Sequence, residues 1–556
     1  METERDSKSP LRILILGGGF AGVYTALYLD RTLPRDSNVE VTLVNREDYF
    51  VFQPLLAEIV SGNIGILDTV SPLRRLLPRT RILVREVDAV DLDRKSVTLS
   101  PGFWPREHVL SYDHLVLALG TVTDFRGIPG LFEHALPFKN LADALSLRNH
   151  LIRAIEEATI EDDPQRRKEL LTFVVAGGGF SGVEVAAEMN DFVRRLVKQT
   201  RMLKPSDIRV ILVHSGARVL ERELTESLSV YANEVLKRRG VELILNTRLR
   251  TASPDAAILQ NGERIATKTV VSTVPSSPHP LIESLDLPKE RGKIKVDASL
   301  RVADRDNVWA IGDCALIPIG STGQPCPPTA QHAVRQAKTL AHNVLAQING
   351  QALEQFDFGG LGKLGSLGHH CAVAEVGGVR LSGFVAWFLW RSVYWWKLPG
   401  LDRKIKVGFA WFLDLLIPPE AVQLRVGTSQ GVSQVHYEPG DVVFRQGDLG
   451  DSLYIILDGE AEVLIEEDGQ ERVVARMGPG EHFGEMALLS QEARTATVRC
   501  TKPMNALALQ KADFNALASN IPEMRKSFAR IMEERIARSG ETAGASATSE
   551  RDGGEG

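Results

Sequence analysis

LRILILGGGFAGVYTA, residues 11–26, is an apolar run that breaks into a glycine cluster and then into a helical pattern. Gly17, Gly19 and Gly22 stand in GxGxxG spacing between a β-rich run and residues with helical periodicity. Each glycine has its own reason. The first permits a tight turn, the second lets a pyrophosphate approach the backbone, and the third lets the helix pack closely on the strand. The helix N-terminus then offers unpaired N–H groups and a positive dipole end to a phosphate. One such motif could be a glycine-rich turn. Residues 171–186, LTFVVAGGGFSGVEVA, repeat it with Gly177, Gly179 and Gly182. Gly17 and Gly177 lie 160 residues apart, far beyond a solenoid period, so this is a duplicated domain motif.

Further β-type runs follow each copy: VEVTLVN (39–45) and HLVLALG (114–120), then IRVILVH (208–214) and TVVSTVP (269–275). Strands alternating with helices predict an α/β fold of two doubly wound, Rossmann-like dinucleotide-binding domains. The acid expected at the end of the second strand is missing from both copies, where Asn45 and His214 stand instead. Asn45 can still hydrogen-bond ribose hydroxyls. At His214 the missing carboxylate removes the usual preference for NADH over NADPH. Gly312-Asp313, in VWAIGDCA (308–315), lies where two-dinucleotide flavoproteins place an aspartate on the flavin's ribityl chain.

At 556 residues the chain is too long for one core, and about 150 residues per domain suggests three or four. A net charge of −6 is small for this length and argues against a nucleic-acid binder. The apolar run from Leu11 stops too soon for a signal peptide, which predicts a cytosol-facing protein. Cys314, Cys326, Cys371 and Cys500 form no CxxC and no tight pair, so neither a disulfide scaffold nor a metal site is expected. Residues 46–80 hold no cysteine, so electrons leaving a flavin here go to something other than a protein dithiol.

Between Arg380 and Glu420 the texture changes. Trp387, Trp390, Trp395, Trp396 and Trp411 stand among Arg380, Arg391, Lys397, Arg403, Lys404 and Lys406. Arg391 and Lys397 interrupt the best apolar run, so a spanning helix is not expected. As a helix, Phe384, Trp387, Phe388, Tyr394, Trp395 and Leu398 share one side, broken by Arg391. Tryptophan with Lys and Arg is the composition of a membrane interface. After Glu420 come short strands with glycine turns, and residues 540–556 read as a disordered tail.

Over roughly residues 10–420 the sequence resembles the type II NADH dehydrogenases, single-subunit NADH:quinone oxidoreductases that do not pump protons. Beyond the shared flavoprotein pattern, the resemblance rests on YFVFQPLLAEIVSG (49–62), PPTAQHAVRQAK (327–338) and LSGFVAWFLWRSVYWWKLPG (381–400). It implies an oxidoreductase region over 10–378, with FAD on 10–140 and 295–345 and NADH (or NADPH) on 141–294. It further implies a membrane-association segment over 379–420. Glu184 aligns with the family's glutamate beside nicotinamide and flavin, a catalytic position. Ala330, Gln331, Ala333 and Gln336 match the quinone-side motif, Gln331 as a catalytic candidate, while Arg335 replaces one glutamine of the family. Pro275 replaces a usual glycine, so no ligand contact is assigned there. The implied reaction passes hydride from nicotinamide to flavin and then electrons to a quinone, at the cytoplasmic face of the cell membrane. Homodimers are usual in that family, which is the ground for expecting one here.

Residues 425–535 resemble the cyclic-nucleotide-binding domains, which implies a C-terminal β-barrel with helices behind it. GPGEHFGEMALLSQEARTATV matches the phosphate-binding cassette. Arg494 would pair with the cyclic phosphate, the backbone near Gly484 and Glu485 would add donors, Glu485 would accept from the ribose 2′-hydroxyl, and Thr495 would meet a purine edge. Both cAMP and cGMP remain open. The expected whole is a membrane-associated NAD(P)H:quinone oxidoreductase tuned by a cyclic nucleotide. Alternatives are a soluble flavin reductase with another acceptor, or a redox and nucleotide sensor with negligible turnover.

Overall fold

The computed structural model describes residues 10–101, 106–124, 128–273, 276–415, 422, 432–448, 452–467, 470–484 and 494–510. Glu485, Pro275 and the tail expected at 540–556 lie outside these residues. The chain divides into two compact units, one of residues 1–99 with 109–424, the other mainly of residues 425–556.

In the first unit, Leu11–Leu16 (β1) leads through the glycine loop into Phe20–Thr32 (α1). Val39–Asn45 (β2) pairs with β1 in parallel, and Leu56–Ser61 (α2) follows. Arg81–Val84 (β3) lies beyond β2, and His114–Leu117 (β4) lies on the other side of β1. The second sheet uses Ala135–Pro137 (β5) and, after Leu141–Ile160 (α3), Thr172–Ala176 (β6). Phe180–Gln199 (α4) leaves β6 as α1 leaves β1. Arg209–Val213 (β7), Val241–Ile244 (β8) and Thr269–Ser272 (β9) complete the order β5-β9-β6-β7-β8. Val308–Ala310 (β10) then returns to the first sheet beside β4, giving β10-β4-β1-β2-β3. Both fingerprint strands are therefore central. Helices cover both faces, which is why β1 and β6 read as unbroken apolar runs rather than alternating ones.

Ala330–Ile348 (α5) packs on α1. Gly362–Ser366 (β11), Ala372–Val376 (β12) and Val379–Ser382 (β13) form an antiparallel sheet that runs into Gly383–Lys397 (α6) and Leu401–Asp414 (α7). The aromatic-basic segment is thus two helices joined at Pro399-Gly400. The stripe expected on one helix is divided. Trp387, Trp390, Arg391 and Leu398 are buried, whereas Phe384, Val385, Phe388 and Trp396 are exposed. Leu401, Ile405, Phe409 and Phe412 of α7 are exposed too. Arg391 turns inward because two carboxylates, Glu58 and Asp414, wait there. Among the described residues no helix is long and apolar enough to cross a membrane.

The second unit is antiparallel. Val432–Tyr437 (β14), Val442–Phe444 (β15), Ser452–Glu467 (β16), Gln470–Met477 (β17), His482–Phe483 (β18) and Thr497–Gln510 (β19) pair in the order β14-β19-β16-β17. β15 pairs with β19, and β18 with β16. Tyr454 and Phe483 stack within its core, and Phe444 packs on both at a tilt.

Candidate functional site

The two glycine loops have the same construction. Gly17 has φ +108° and Gly177 has φ +123°, backbone that side chains with a Cβ rarely adopt. A Cβ on Gly22 would stand 1.9 Å from the Gly17 carbonyl oxygen, and one on Gly182 the same distance from that of Gly177. A Cβ on Gly19 would meet nothing within 4 Å. The middle glycine of the first loop therefore faces open space at the N-terminus of α1, as a pyrophosphate needs. Each loop is also braced by the residue that replaces the acid. The Gly18 N–H donates to Asn45 Oδ1 at 2.8 Å, and Asn45 Nδ2 donates to the Glu47 carbonyl at 2.8 Å. In the second copy the Gly178 N–H donates to His214 Nδ1 at 3.2 Å.

Asp313 follows β10, and Gly312 before it takes φ +73°. Burial raises the Asp313 carboxyl, while Lys293 and Lys139 pull it back. This supplies a paired acceptor near the first loop. The glycine cradle and this acid fit FAD, which would be held by Gly17, Gly19, Gly22, Asn45 and Asp313. The Gly312 N–H donates to Gln336 Oε1 at 3.0 Å, and Gln336 Nε2 donates to Cys326 Sγ at 3.2 Å. Gln331 clasps a backbone turn: its Nε2 donates to the Gly362 carbonyl and its Oε1 accepts from the Leu361 N–H, both at 3.1 Å. Both glutamines expected at a quinone thus hold main chain in place. Arg335, the departure from the family pattern, is exposed and lies over Phe358.

A cleft of about 1040 Å³ opens over the second loop, lined by His214, Arg222, Glu223, Arg248 and Arg250 as well as the glycines. Burial lowers the pKa of His214. Since Nδ1 accepts from a backbone N–H, the neutral ring carries its proton on Nε2, a donor without a partner among the described residues. A donor here cannot accept from ribose hydroxyls as a carboxylate would. His214→Glu is therefore expected to raise the preference for NADH over NADPH about tenfold, read as the ratio of kcat/KM values.

Glu184 lies in the first turns of α4, and its Oε1 accepts from the Ser366 N–H of β11 at 3.0 Å. Burial pushes its carboxyl up to about 8, against the pull of that N–H and of the Trp390 indole. An aromatic row, Phe20, Phe52, Tyr394 and Trp390, runs from the first loop to α6 beside it. Sequence reasoning singled out Glu184 but not the buried acids near it, Glu188 one turn on and Glu58 of α2. The signal for Glu188 was an acid at i+4 on an otherwise apolar helix face.

In the second unit Arg494 is buried and donates to the Gly484 and Ser452 carbonyls, each at 2.8 Å, with its guanidinium 4.0 Å from the Phe444 ring centroid. Gly484 has φ +88°, and a Cβ there would meet the guanidinium. Gly484 and Arg494 are thus brought together, while Thr495 is exposed.

This architecture, with two dinucleotide folds on one chain, defines a pyridine nucleotide-linked oxidoreductase: residues 11–337 match the pyridine nucleotide-disulphide oxidoreductase family. Within that class the chain belongs to the type II NADH:quinone oxidoreductase family. It is 33% identical to demethylphylloquinone reductase of Synechocystis over 72% of this chain and 95% of that protein. It is 30% identical to a type II NADH:quinone oxidoreductase of Mycobacterium tuberculosis over 73% and 87%. The fold is shared with NDH2 from Plasmodium falciparum in complex with NADH, at a TM-score of 0.69, 21% identity, and 74% and 99% coverage. Residues 434–520 match the cyclic nucleotide-binding domain.

Proposed function

We propose that this chain is an FAD-dependent NAD(P)H:quinone oxidoreductase that works at a membrane surface without pumping protons and is tuned by a cyclic nucleotide. The observation that carries the reading is Glu184, a half-buried acid between the second glycine loop and the aromatic row that starts at the first. FAD, held there, would supply the hydride-accepting and two-electron-donating chemistry. The chain's own groups do the rest. Residues 10–140 and 295–345 hold FAD, 141–294 orient the nicotinamide dinucleotide, and Glu184 holds a proton beside them. Gln331 and Gln336 act as positioning residues for the quinone side, through the backbone they clasp.

The exposed Phe384, Phe388, Trp396, Ile405 and Phe409 fit insertion into a lipid headgroup region on the cytoplasmic face. Lys404, whose Nζ lies 5.0 Å from the Trp396 ring centroid, suits anionic lipid. In the second unit, the Arg494 guanidinium would exchange carbonyl partners for a cyclic phosphate. Arg494→Ala is expected to weaken cAMP or cGMP binding about a hundredfold by calorimetry, as loss of a buried charge-assisted pair does. Binding that survives within a few-fold would remove Arg494 from the site.

The deciding experiment is NADH oxidation by the purified yellow protein with a short-chain quinone, with and without cAMP or cGMP. Quinone-dependent turnover that a nucleotide changes supports both halves. Turnover indifferent to either nucleotide overturns the regulation, and no turnover with any quinone overturns the acceptor.

A further inference from the structure

The cleft over the second glycine loop is lined by three arginines, Arg222, Arg248 and Arg250, against one acid, Glu223. All three arginines are exposed, and none makes an ion pair or a side-chain hydrogen bond among the described residues. Backbone bonds gather them at the His214 end. The Thr247 N–H donates to the His214 carbonyl at 3.2 Å and the Asn246 N–H to the Gly216 carbonyl at 3.0 Å. This sets Arg248 beside the end of β7, with Arg250 on the far side of buried Leu249. The Leu220 N–H donates to the Gly178 carbonyl at 2.8 Å, which brings the turn carrying Arg222 to the same place. Arg222 acts by its charge on both His214 and Glu223. Two polar atoms at this end are buried with no partner among the described residues: His214 Nε2 and Thr247 Oγ1, the latter on a residue 7% exposed. The acids are directed elsewhere. Glu221 Oε2 accepts from the Ala217 N–H at 3.0 Å, and Glu223 Oε1 stands 3.0 Å from where a Cβ on Gly179 would be, at the N-terminus of α4. An NADH ribose presents two hydroxyls, which a carboxylate at the end of β7 would hold. The groups found there are donors and cations, the complement of a phosphomonoester with its three acceptor oxygens.

We propose that Arg222 and Arg248, with the His214 ring N–H and the Thr247 hydroxyl, form a site for the 2′-phosphate of NADPH, which makes NADPH the preferred hydride donor. This rests on the reading of the cleft as the nicotinamide dinucleotide site. The 2′-phosphate takes no part in hydride transfer, so these residues set specificity through binding alone. Arg250, further along the same edge, adds attraction at longer range. Because the arginines are exposed, their attraction is screened, and the preference for NADPH falls as salt rises.

The test uses adenosine 2′,5′-bisphosphate, adenosine 3′,5′-bisphosphate and 5′-AMP, titrated by calorimetry into the purified holoenzyme, wild type or carrying Arg222→Gln or Arg248→Gln. The 2′,5′-isomer should bind about a hundredfold more tightly than 5′-AMP, and about tenfold more tightly than the 3′,5′-isomer of equal charge. Each substitution should lower the first ratio about tenfold. Anaerobic stopped-flow then reads the donor without any acceptor. The ratio of flavin-bleaching rate constants, NADPH over NADH, should exceed one in the wild type and fall about tenfold in each variant. It should also fall as salt is raised from about 0.05 to 0.5 M. Equal affinity for the two bisphosphates would show charge attraction only, and unchanged ratios in both variants would leave the arginines as solvated surface charge; either overturns the site. Faster bleaching by NADH than by NADPH overturns the preference, and protein bleached by neither overturns the reading of the cleft and the site with it. Protein that shows the expected ratios, yet whose flavin no quinone restores, refutes the acceptor and leaves the 2′-phosphate site supported.

Discussion

Gly22→Ala is expected to give a colourless protein that has lost FAD. The added methyl would stand 1.9 Å from the Gly17 carbonyl oxygen and 3.3 Å from Ile15 Cγ2. The loop has nowhere to retreat. Gly17 itself is pressed against the next strand's exit, where a Cβ on it would lie 2.4 Å from the Ala118 carbonyl oxygen. Relief therefore requires α1 to lift from β1, which opens the loop that its N–H groups must shape around the pyrophosphate. Overpacking in a rigid core costs about 1–3 kcal/mol, and here the displaced element is the binding surface itself. The measurement is flavin absorbance per protein after purification and after reconstitution with excess FAD. Wild-type flavin content would show that the helix accommodates the methyl and that the close approach is not what shapes the site. Gly19→Ala is the internal comparison: with nothing within 4 Å of its Cβ, it should leave the fold intact and weaken only the ligand.

That contrast between neighbouring glycines shows which parts of this protein are written locally. Strand, turn and helix follow one another within 16 residues, so the fingerprints, the parallel sheets and the C-terminal strands were legible from spacing and periodicity. Asn45 and His214 were recognised as departures, yet their bracing of Gly18 and Gly178 depends on side-chain direction across the sheet, which spacing does not encode. Gln331 and Gln336 both lie in the first two turns of α5, but their partners, Gly362 and Gly312, lie in separate segments. The inward turn of Arg391 was hidden for the same reason: Glu58 is 333 residues away. A charge in an apolar stripe reads as a break until its partner is known. The division of the aromatic segment, in contrast, was available from Leu398-Pro399-Gly400, a helix stop followed by a residue with φ +87°.

Glu184→Gln is expected to lower quinone-dependent turnover by about 10²–10⁴-fold, the usual contribution of a positioned proton donor. Its carboxyl, raised to about 8, is mostly protonated at neutral pH, so the wild-type rate should hold at lower pH and fall as pH rises through about 8. The variant has no proton to give and should lack that limb. Stability moves the same way, over a window that starts lower. Between the ordinary value of 4.5 and about 8, the folded protein keeps a proton on Glu184 that the unfolded chain releases. Wherever the folded state binds more protons, stability falls as pH rises, so this group favours folding fully only below about 4.5. Its contribution is lost progressively up to about 8. Glu184→Gln removes that slope, and its melting temperature relative to wild type should climb over the same window. The Ser366 N–H and Trp390 oppose the shift and set how high the carboxyl is held, so the midpoint of the rate limb must coincide with the upper end of the stability window. A slow variant with an unchanged melting profile would mean that Glu184 is ionised in the folded protein and acts by charge. A fast variant would mean that the proton reaches the acceptor by another route, whatever the melting profile shows.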